Sequence, residues 1–218
     1  MAASAPQEAD TAPETAATPR TRWDSLAFWG LHAWILGYVG VLAGAFYMQF
    51  GKGEFPCPLC MLQRYGMVLS TLGALYIVMQ ARRGELTTRR YAQGLGMGIV
   101  GALTGAVVSV RQILLHIMPG DPGYGEPVLG LHLYTWALIT FFVVLIFAGV
   151  LLMAAPAAVP VAPAPESGLW KLSTVVVWLF LIILAANVVA IILLEGFAWV
   201  LPDDPTGYNL LDQLGLSG

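Results

Sequence analysis

Charge is scarce in this chain of 218 residues: only 11% of them are Asp, Glu, Lys or Arg, while 58% are hydrophobic. A soluble domain of this size could not bury so much apolar surface, so the composition indicates an integral membrane protein. The net charge of −3 argues against nucleic acid as a partner, because binding to phosphates requires a basic surface.

Cysteine is also scarce, with Cys57 and Cys60 as the two in the sequence. Two cysteines exclude a disulfide framework, and a structural zinc site needs about four ligands. Three histidines are too few for a protein with several metals. The spacing C-x-x-C is more typical of thiol–disulfide exchange, so the pair is predicted to be redox-active.

Long hydrophobic runs, in contrast, are plentiful, and five of them reach the roughly 20 residues that cross a bilayer. The predicted spans are residues 26–50, 60–80, 91–117, 133–154 and 172–194. We therefore predict an all-α integral membrane fold, a four-helix transmembrane bundle with one appended C-terminal transmembrane helix.

The segments outside these spans complete the predicted organisation. Alanine, proline and threonine dominate the start of the chain, and Pro/Ala repeats separate the last two spans. We predict a disordered cytoplasmic tail (1–22), the membrane bundle with the redox site (23–154), a linker (155–171), the fifth helix (172–195) and a periplasmic acidic tail (196–218).

Glycines predict where helices pack closely, because small residues let helix backbones approach each other in lipid. The predicted contact faces carry Gly94, Gly98, Gly101 and Gly105 on the third span and Gly40 and Gly44 on the first.

Basic residues predict the orientation of the spans. Four arginines, Arg82, Arg83, Arg89 and Arg90, fill the short loop between the second and third spans. That loop, and with it the N-terminus, is predicted to be cytoplasmic. Cys57 and Cys60 then lie at the opposite, oxidising side of the membrane.

The first turn of a helix favours an anion, so a helix that begins near Cys60 lowers the pKa of that thiol. Arg64 follows by four residues and is predicted to stack its guanidinium over the Cys60 sulfur. Cys57 precedes the helix in a loop opened by Phe55 and Pro56. It is predicted to be the more accessible sulfur and the one that an incoming thiolate attacks.

An oxidising dithiol needs an electron acceptor, and the sequence contains no haem, flavin or iron–sulfur motif. A lipid-soluble quinone fits without a further motif. Arg64 is predicted to polarise its carbonyl, while Gln112, His116 and Trp136 are predicted to shape its pocket.

Two other interpretations of the histidines remain open. Cys57, Cys60, His116 and His132 all fall at one membrane face and together could form a Cys2His2 metal site. Alternatively, the histidines are interfacial residues without a role in the site.

Three stretches resemble the disulfide bond formation protein B (DsbB) family. They are FPCPLCMLQR at residues 55–64, RQILLHIMPGDPGYG at 111–125 and LGLHLYTW at 129–136. The resemblance extends over residues 26–153 and includes the arginine four residues after the second cysteine.

The resemblance implies a four-helix bundle in the bacterial inner membrane that reoxidises a periplasmic, thioredoxin-like thiol oxidase (DsbA-like). It also implies ubiquinone or menaquinone as electron acceptor. By this analogy Cys57 exchanges disulfides with the partner, Cys60 contacts the quinone and Arg64 supports the quinone. The expected activity is that of a quinone-dependent protein-disulfide oxidoreductase.

Two features depart from the family pattern. Well-studied members carry a second cysteine pair in the outer loop between the third and fourth spans, whereas residues 118–132 contain no cysteine. The fifth span and its acidic tail are also additional. These departures leave open an alternative, a non-catalytic or redox-sensing subunit of a larger membrane complex built on a DsbB-like scaffold.

Overall fold

The computed structural model describes residues 22–198 and 202–216. The predicted tail at residues 1–22 lies almost wholly outside the described residues, as does part of the predicted C-terminal tail. The described residues form an all-α structure. Its helices are α1 (Arg22–Phe46), continued by a π-helical turn (Tyr47–Gly51), α2 (Pro58–Arg82), α3 (Thr88–Leu115), α4 (Leu133–Ala154), α5 (Gly168–Glu195), and the short α6 (Asn209–Gln213).

Side-chain caps define where three of the helices begin. The Thr87 side chain accepts a hydrogen bond from the backbone N–H of Arg90 at the start of α3. Ser167 does the same for Trp170 at the start of α5. Cys57 caps α2, and Pro58 occupies its first position, where a missing N–H costs nothing. The C-x-x-C motif therefore also forms the start of α2.

Four helices in the described part of the chain are long and apolar enough to cross a membrane: α1 with its π turn, α3, α4 and α5. The prediction of five spans is not reproduced in full. The helix that falls short is α2, because Gln63, Arg64 and Gln80 lower the mean hydropathy of its 25 residues.

Glycine packing between α2 and α3 is confirmed, since all four predicted glycines of α3 are buried. A Cβ added at Gly73 of α2 would lie 2.5 Å from the carbonyl oxygen of Gly94, and one at Gly66 would lie 2.6 Å from the Cα of Gly105. The two backbones are thus in direct contact. The same expectation is wrong for Gly40 and Gly44, which have no described heavy atom of a neighbouring element within 4 Å of an added Cβ.

The last long helix, α5, packs mainly against α1 and is joined to the bundle by buried polar contacts. The His32 ring lies 2.8 Å from the Ser173 hydroxyl. Arg82 donates to the hydroxyl of Thr174 at 2.7 Å, and its guanidinium lies 4.1 Å from the centre of the Trp170 ring. These contacts fix α5 against α1 and α2 at the end of the bundle opposite the cysteines.

Candidate redox site

The cysteine pair occupies the start of α2 and is held by the geometry of the helix cap. The backbone N–H of Cys60 donates to the Cys57 sulfur at 3.3 Å. The two sulfurs lie 2.8 Å apart, within hydrogen-bonding distance in the dithiol form. A small closing movement would join them, so the pair can cycle between dithiol and disulfide without rearranging α2.

The two sulfurs have different environments, and the difference is the reverse of the predicted one. Cys57 is buried, with 6% of its surface exposed, whereas Cys60 is half-buried and faces a cavity. Cys57 turns inward because its sulfur caps the helix. Its hydrogen bond to the Cys60 sulfur, together with burial, raises the pKa of the Cys57 thiol, so Cys57 keeps the proton of the dithiol.

Gln112 is the predicted residue that the structure brings into contact with both sulfurs. Its amide nitrogen lies 3.4 Å from the Cys57 sulfur and 3.5 Å from the Cys60 sulfur. Gln63, one helical turn after Cys60, donates to the Gln112 carbonyl oxygen at 2.7 Å. Both amides are buried. The polar side chain that contacts both thiols is thus an amide of α3.

Arg64 is buried near the pair but points elsewhere. One guanidinium nitrogen donates to the side chain of Gln49 at 2.8 Å, and the other donates to the carbonyl of Ala45 at 3.3 Å. Its carbon lies 5.3 Å from the centre of the Phe46 ring. The expected stacking over the Cys60 sulfur is therefore replaced by contacts with the end of α1, which supplies the acceptors that a buried cation requires.

A cavity of about 720 Å³ opens beside Cys60. Its walls include Cys60, Gln63 and Arg64 of α2, Ala45 of α1, and Trp136 and Thr140 of α4. Its volume falls in the range of small-molecule sites. Of the predicted pocket residues, Arg64 and Trp136 line it, whereas Gln112 and His116 are not among its described lining residues.

The cavity exists because α1 and α4 separate at the redox end of the bundle. Deeper in the bundle the same helices touch through rings, with Trp34 6.3 Å from Phe147 and Tyr38 5.9 Å from Phe141 between ring centroids. The gap beside Cys60 is therefore flanked by two apolar helices, so a molecule with a hydrocarbon chain could extend between them.

Both outer histidines stack against the Tyr134 ring, with centroid distances of 5.8 Å for His116 and 5.2 Å for His132. His116 also contacts Asp121 at 3.0 Å, and His132 contacts the carbonyl of Gly125 at 3.1 Å. Among the described residues no group of three or more His, Cys, Asp or Glu could hold a metal ion. The Cys2His2 alternative therefore has no support in the geometry.

Asp121 organises the outer loop between α3 and α4 through the Gly123 N–H at 2.8 Å and the His116 ring. These contacts, with the Gly123 N–H first, lower the pKa of Asp121 below its usual 3.8. A depressed carboxyl pKa adds stability above that range, and this stability disappears as the pH falls below it.

We therefore expect Asp121→Ala to loosen the loop near pH 5 but to have little effect near pH 2. The measurement is cleavage by an acid protease, expressed as the ratio of variant to parent rates at each pH. The ratio should exceed one at pH 5 and approach one at pH 2. A constant ratio would show that the Asp121 carboxylate does not hold the loop.

Two tyrosines that the sequence did not indicate close over the loop before Cys57. Tyr124 donates to the carbonyl of Phe55 at 2.7 Å, and burial raises the pKa of this phenol, so it keeps its proton near neutral pH. Tyr208, which precedes α6, packs edge-on against Phe55 at 5.1 Å and stacks on Phe50 at 6.1 Å. The loop that buries Cys57 is thus held from two sides.

Sequence reasoning also missed Gln63 and Gln49. A signal for both was present, because strongly polar residues inside apolar helices are rare and usually have a partner or a function. The tyrosines carried no such signal, since aromatic residues are common at membrane interfaces.

The fold and the site together define a multi-pass membrane protein with four candidate spans and a C-x-x-C dithiol beside an internal cavity. Residues 27–126 match the family described as Disulfide bond formation protein DsbB. This segment contains both cysteines, and through it the chain is similar to the DsbB family.

Individual proteins show the same similarity. Disulfide bond formation protein B of Marinobacter nauticus is 41% identical over 93 residues, which are 40% of this chain and 53% of the relative. Disulfide bond formation protein B 2 of Burkholderia lata is 38% identical over 104 residues, 48% of this chain and 54% of the relative. Disulfide bond formation protein B 1 of Pseudomonas fluorescens is 28% identical over 144 residues, 51% of this chain and 82% of the relative.

The chain therefore spans about half the length of the first two relatives. No solved structure matches it significantly.

Proposed function

We propose that this chain is a membrane thiol:quinone oxidoreductase that supports protein disulfide bond formation. The single observation that carries the proposal is the position of Cys60, in the wall of an apolar cavity beside Arg64 and within a DsbB-family segment. The proposed thiol substrate is a periplasmic, thioredoxin-like protein of the DsbA type, and the proposed acceptor is ubiquinone or menaquinone.

The residues of the cavity fit a quinone. Its volume of about 720 Å³ admits a quinone head group, and the gap between α1 and α4 offers an apolar path for an isoprenoid chain. Arg64 in the wall can donate hydrogen bonds to a carbonyl oxygen. The carbonyl oxygen of the Gln49 side chain accepts the hydrogen bond from Arg64. The buried amide nitrogen of the same side chain has no hydrogen-bond partner among the described residues. A bound quinone would accept two electrons and two protons.

The proposed cycle begins with the disulfide form. A partner thiolate attacks the Cys57 sulfur, the Cys57–Cys60 bond breaks, and its electron pair goes to Cys60. A second partner thiol then attacks the mixed disulfide, releases an oxidised partner and leaves Cys57 with its electron pair. The resulting dithiol carries two electrons and two protons, which match the requirement of the acceptor.

Access to Cys57 requires the loop before α2 to open, because Cys57 is buried under that loop. In the proposed mechanism Cys57 still exchanges with the partner, since Cys60 faces the cavity. The contacts of Tyr124 and Tyr208 with Phe55 would break during this opening.

We also propose that α2 crosses the membrane, enclosed by α1, α3 and α5, so that α5 is a fifth span appended to a four-helix bundle. The arginines of the short loop between α2 and α3 support a cytoplasmic position for that loop. The N-terminus would then be cytoplasmic, and the cysteines would face the periplasm of the bacterial inner membrane.

The direct test adds a short-chain quinone to the reduced, detergent-solubilised protein and follows quinone absorbance together with the thiol content. We expect one quinone to be reduced for each pair of thiols lost. The matched control is the double variant Cys57→Ser, Cys60→Ser. A quinone that stays oxidised while the thiols persist would contradict the proposal.

Arg64 provides a sharper test of the cavity. We expect Arg64→Met to raise the KM for quinone roughly tenfold or more, because a charge-assisted hydrogen bond contributes about 1.5–3 kcal/mol. Methionine preserves the volume and avoids a buried unpaired charge. Arg111→Met is the control, since Arg111 is an exposed arginine near the same end of the bundle. An unchanged KM in the Arg64 variant would exclude Arg64 from quinone binding.

The burial of Cys57 favours one second candidate, a non-catalytic or redox-sensing subunit of a larger membrane complex. Stoichiometric copurification of other subunits, together with normal function of the double serine variant, would favour it over the enzyme.

A further inference from the structure

Two buried glutamines form a continuous amide chain from the cavity to the sulfurs. Gln63 on α2 lines the cavity, with 4% of its surface exposed, and donates to Gln112 on α3 at 2.7 Å. Gln112 is 1% exposed and places its amide nitrogen between the two sulfurs, at 3.4 and 3.5 Å. Because both side chains are buried, their contacts with each other and with the thiols are part of the packed interior.

The contact between the glutamines determines which end of Gln112 faces the thiols. Its carbonyl oxygen accepts the hydrogen bond from Gln63, which leaves both N–H groups of its amide for the sulfurs. A negative charge on either sulfur repels a carbonyl oxygen and attracts an N–H, so the thiolate state selects this orientation. Arg64 does not compete for the sulfurs, since its donors go to Gln49 and Ala45.

We propose that Gln112 is a catalytic residue that donates a hydrogen bond to whichever redox sulfur carries the negative charge, and that Gln63 is the positioning residue that fixes its amide. This inference deepens the proposed function and rests on it. When a partner thiolate bonds to Cys57 and the disulfide breaks, the electron pair arrives on Cys60, where an N–H of Gln112 already lies in place. No side chain has to move to stabilise the leaving group.

The other charged or titratable groups around the sulfurs come from several elements. They are Arg64 on α2, Tyr124 in the loop between α3 and α4, and Tyr134 on α4, while Lys52, Glu54 and Glu126 line the cavity that Cys60 faces.

The test uses the full chain with Cys57→Ala, which leaves Cys60 as its sole thiol. The rate of alkylation by iodoacetamide then reports the Cys60 thiolate, without quinone or partner. We expect Gln112→Met to lower the alkylation rate at pH 7 roughly tenfold. This factor corresponds to the loss of about one hydrogen bond to the Cys60 thiolate. Gln63→Met should lower it by a smaller factor, about threefold, because the donor remains but is no longer fixed.

The pH profile separates this role from a structural one. In both variants the rate should reach the parent value at high pH, with the curve displaced to higher pH. A lower plateau with an unmoved curve would mean altered access to Cys60 and would overturn the proposal. Gln93→Met is the matched control, since Gln93 lies exposed on the same helix α3.

A second readout uses the chain with both cysteines, equilibrated with glutathione. The equilibrium constant for reduction of the Cys57–Cys60 disulfide should fall roughly tenfold in Gln112→Met, because the reduced state loses a stabilised thiolate. An unchanged equilibrium and an unmoved alkylation curve would refute the role of Gln112. Neither measurement needs quinone, so a failure of quinone reduction with both shifts present would count against the proposed function alone.

Discussion

Replacing Cys60 with alanine is expected to trap the thiol partner on Cys57 as a stable mixed disulfide and to abolish quinone reduction. In the proposed cycle Cys60 is the leaving group on one side and the quinone-facing sulfur on the other. Without it, the Cys57 thiolate can attack the disulfide of an oxidised partner, break that bond and form a mixed disulfide, but neither an internal thiol nor a path for electrons remains. The loss of activity should therefore be complete.

The experiment expresses Cys60→Ala in cells, blocks free thiols with an alkylating agent and purifies the chain without reductant. Mass spectrometry then identifies what is attached to Cys57. Cys57→Ala is the matched control, and we expect it to yield far less adduct. Adducts that form on Cys60 of the Cys57→Ala variant, and not on Cys57, would show that the two sulfurs have the opposite roles.

The second large effect concerns stability. Gly73→Ala is expected to destabilise the protein by about 2–3 kcal/mol, the upper range for overpacking a close contact. The added methyl group would lie 2.5 Å from both the carbonyl oxygen of Gly94 and the backbone nitrogen of Gly98. Backbone atoms cannot rotate away as a side chain can, so α2 and α3 would have to move apart.

Unfolding in mixed micelles, followed by circular dichroism, measures this change. Gly96→Ala is the control, because an added Cβ on that residue of α3 has no described heavy atom of a neighbouring element within 4 Å. It should be neutral or stabilising by about 0.5–1 kcal/mol through helix propensity. Equal midpoints for the two variants would mean that the α2–α3 contact adapts at no cost.

The sequence allowed prediction of the features that depend on local pattern. The start of α2 near Cys60 followed from the beginning of the second apolar run, two residues from the observed start at Pro58, and the glycine face of α3 followed from spacing alone. The apolar length of four helices followed from composition. In each case the residues that allow the prediction all lie within a single helix.

The errors concern contacts between elements. Helical spacing correctly placed Arg64 one turn after Cys60, but it could not show that Gln49, from the end of α1, would bind the guanidinium. The loop before Cys57 is contacted by Tyr124 and Tyr208, which lie 67 and 151 residues beyond Cys57 in the chain. Gln112 was expected in the quinone pocket and instead contacts the sulfurs, because α3 rather than α4 lies directly behind them.

The glycine contact between α2 and α3 has a further consequence for catalysis. Cys60 and Gln63 belong to α2, and Gln112 belongs to α3, so the sulfur and both amides are mounted on one tightly joined pair of helices. The opposite walls of the cavity come from α1 and α4. A molecule that enters between α1 and α4 would therefore not have to separate the Gln112 donor from the Cys60 sulfur. In the proposed function, entry of the quinone and stabilisation of the thiolate would then depend on different pairs of helices.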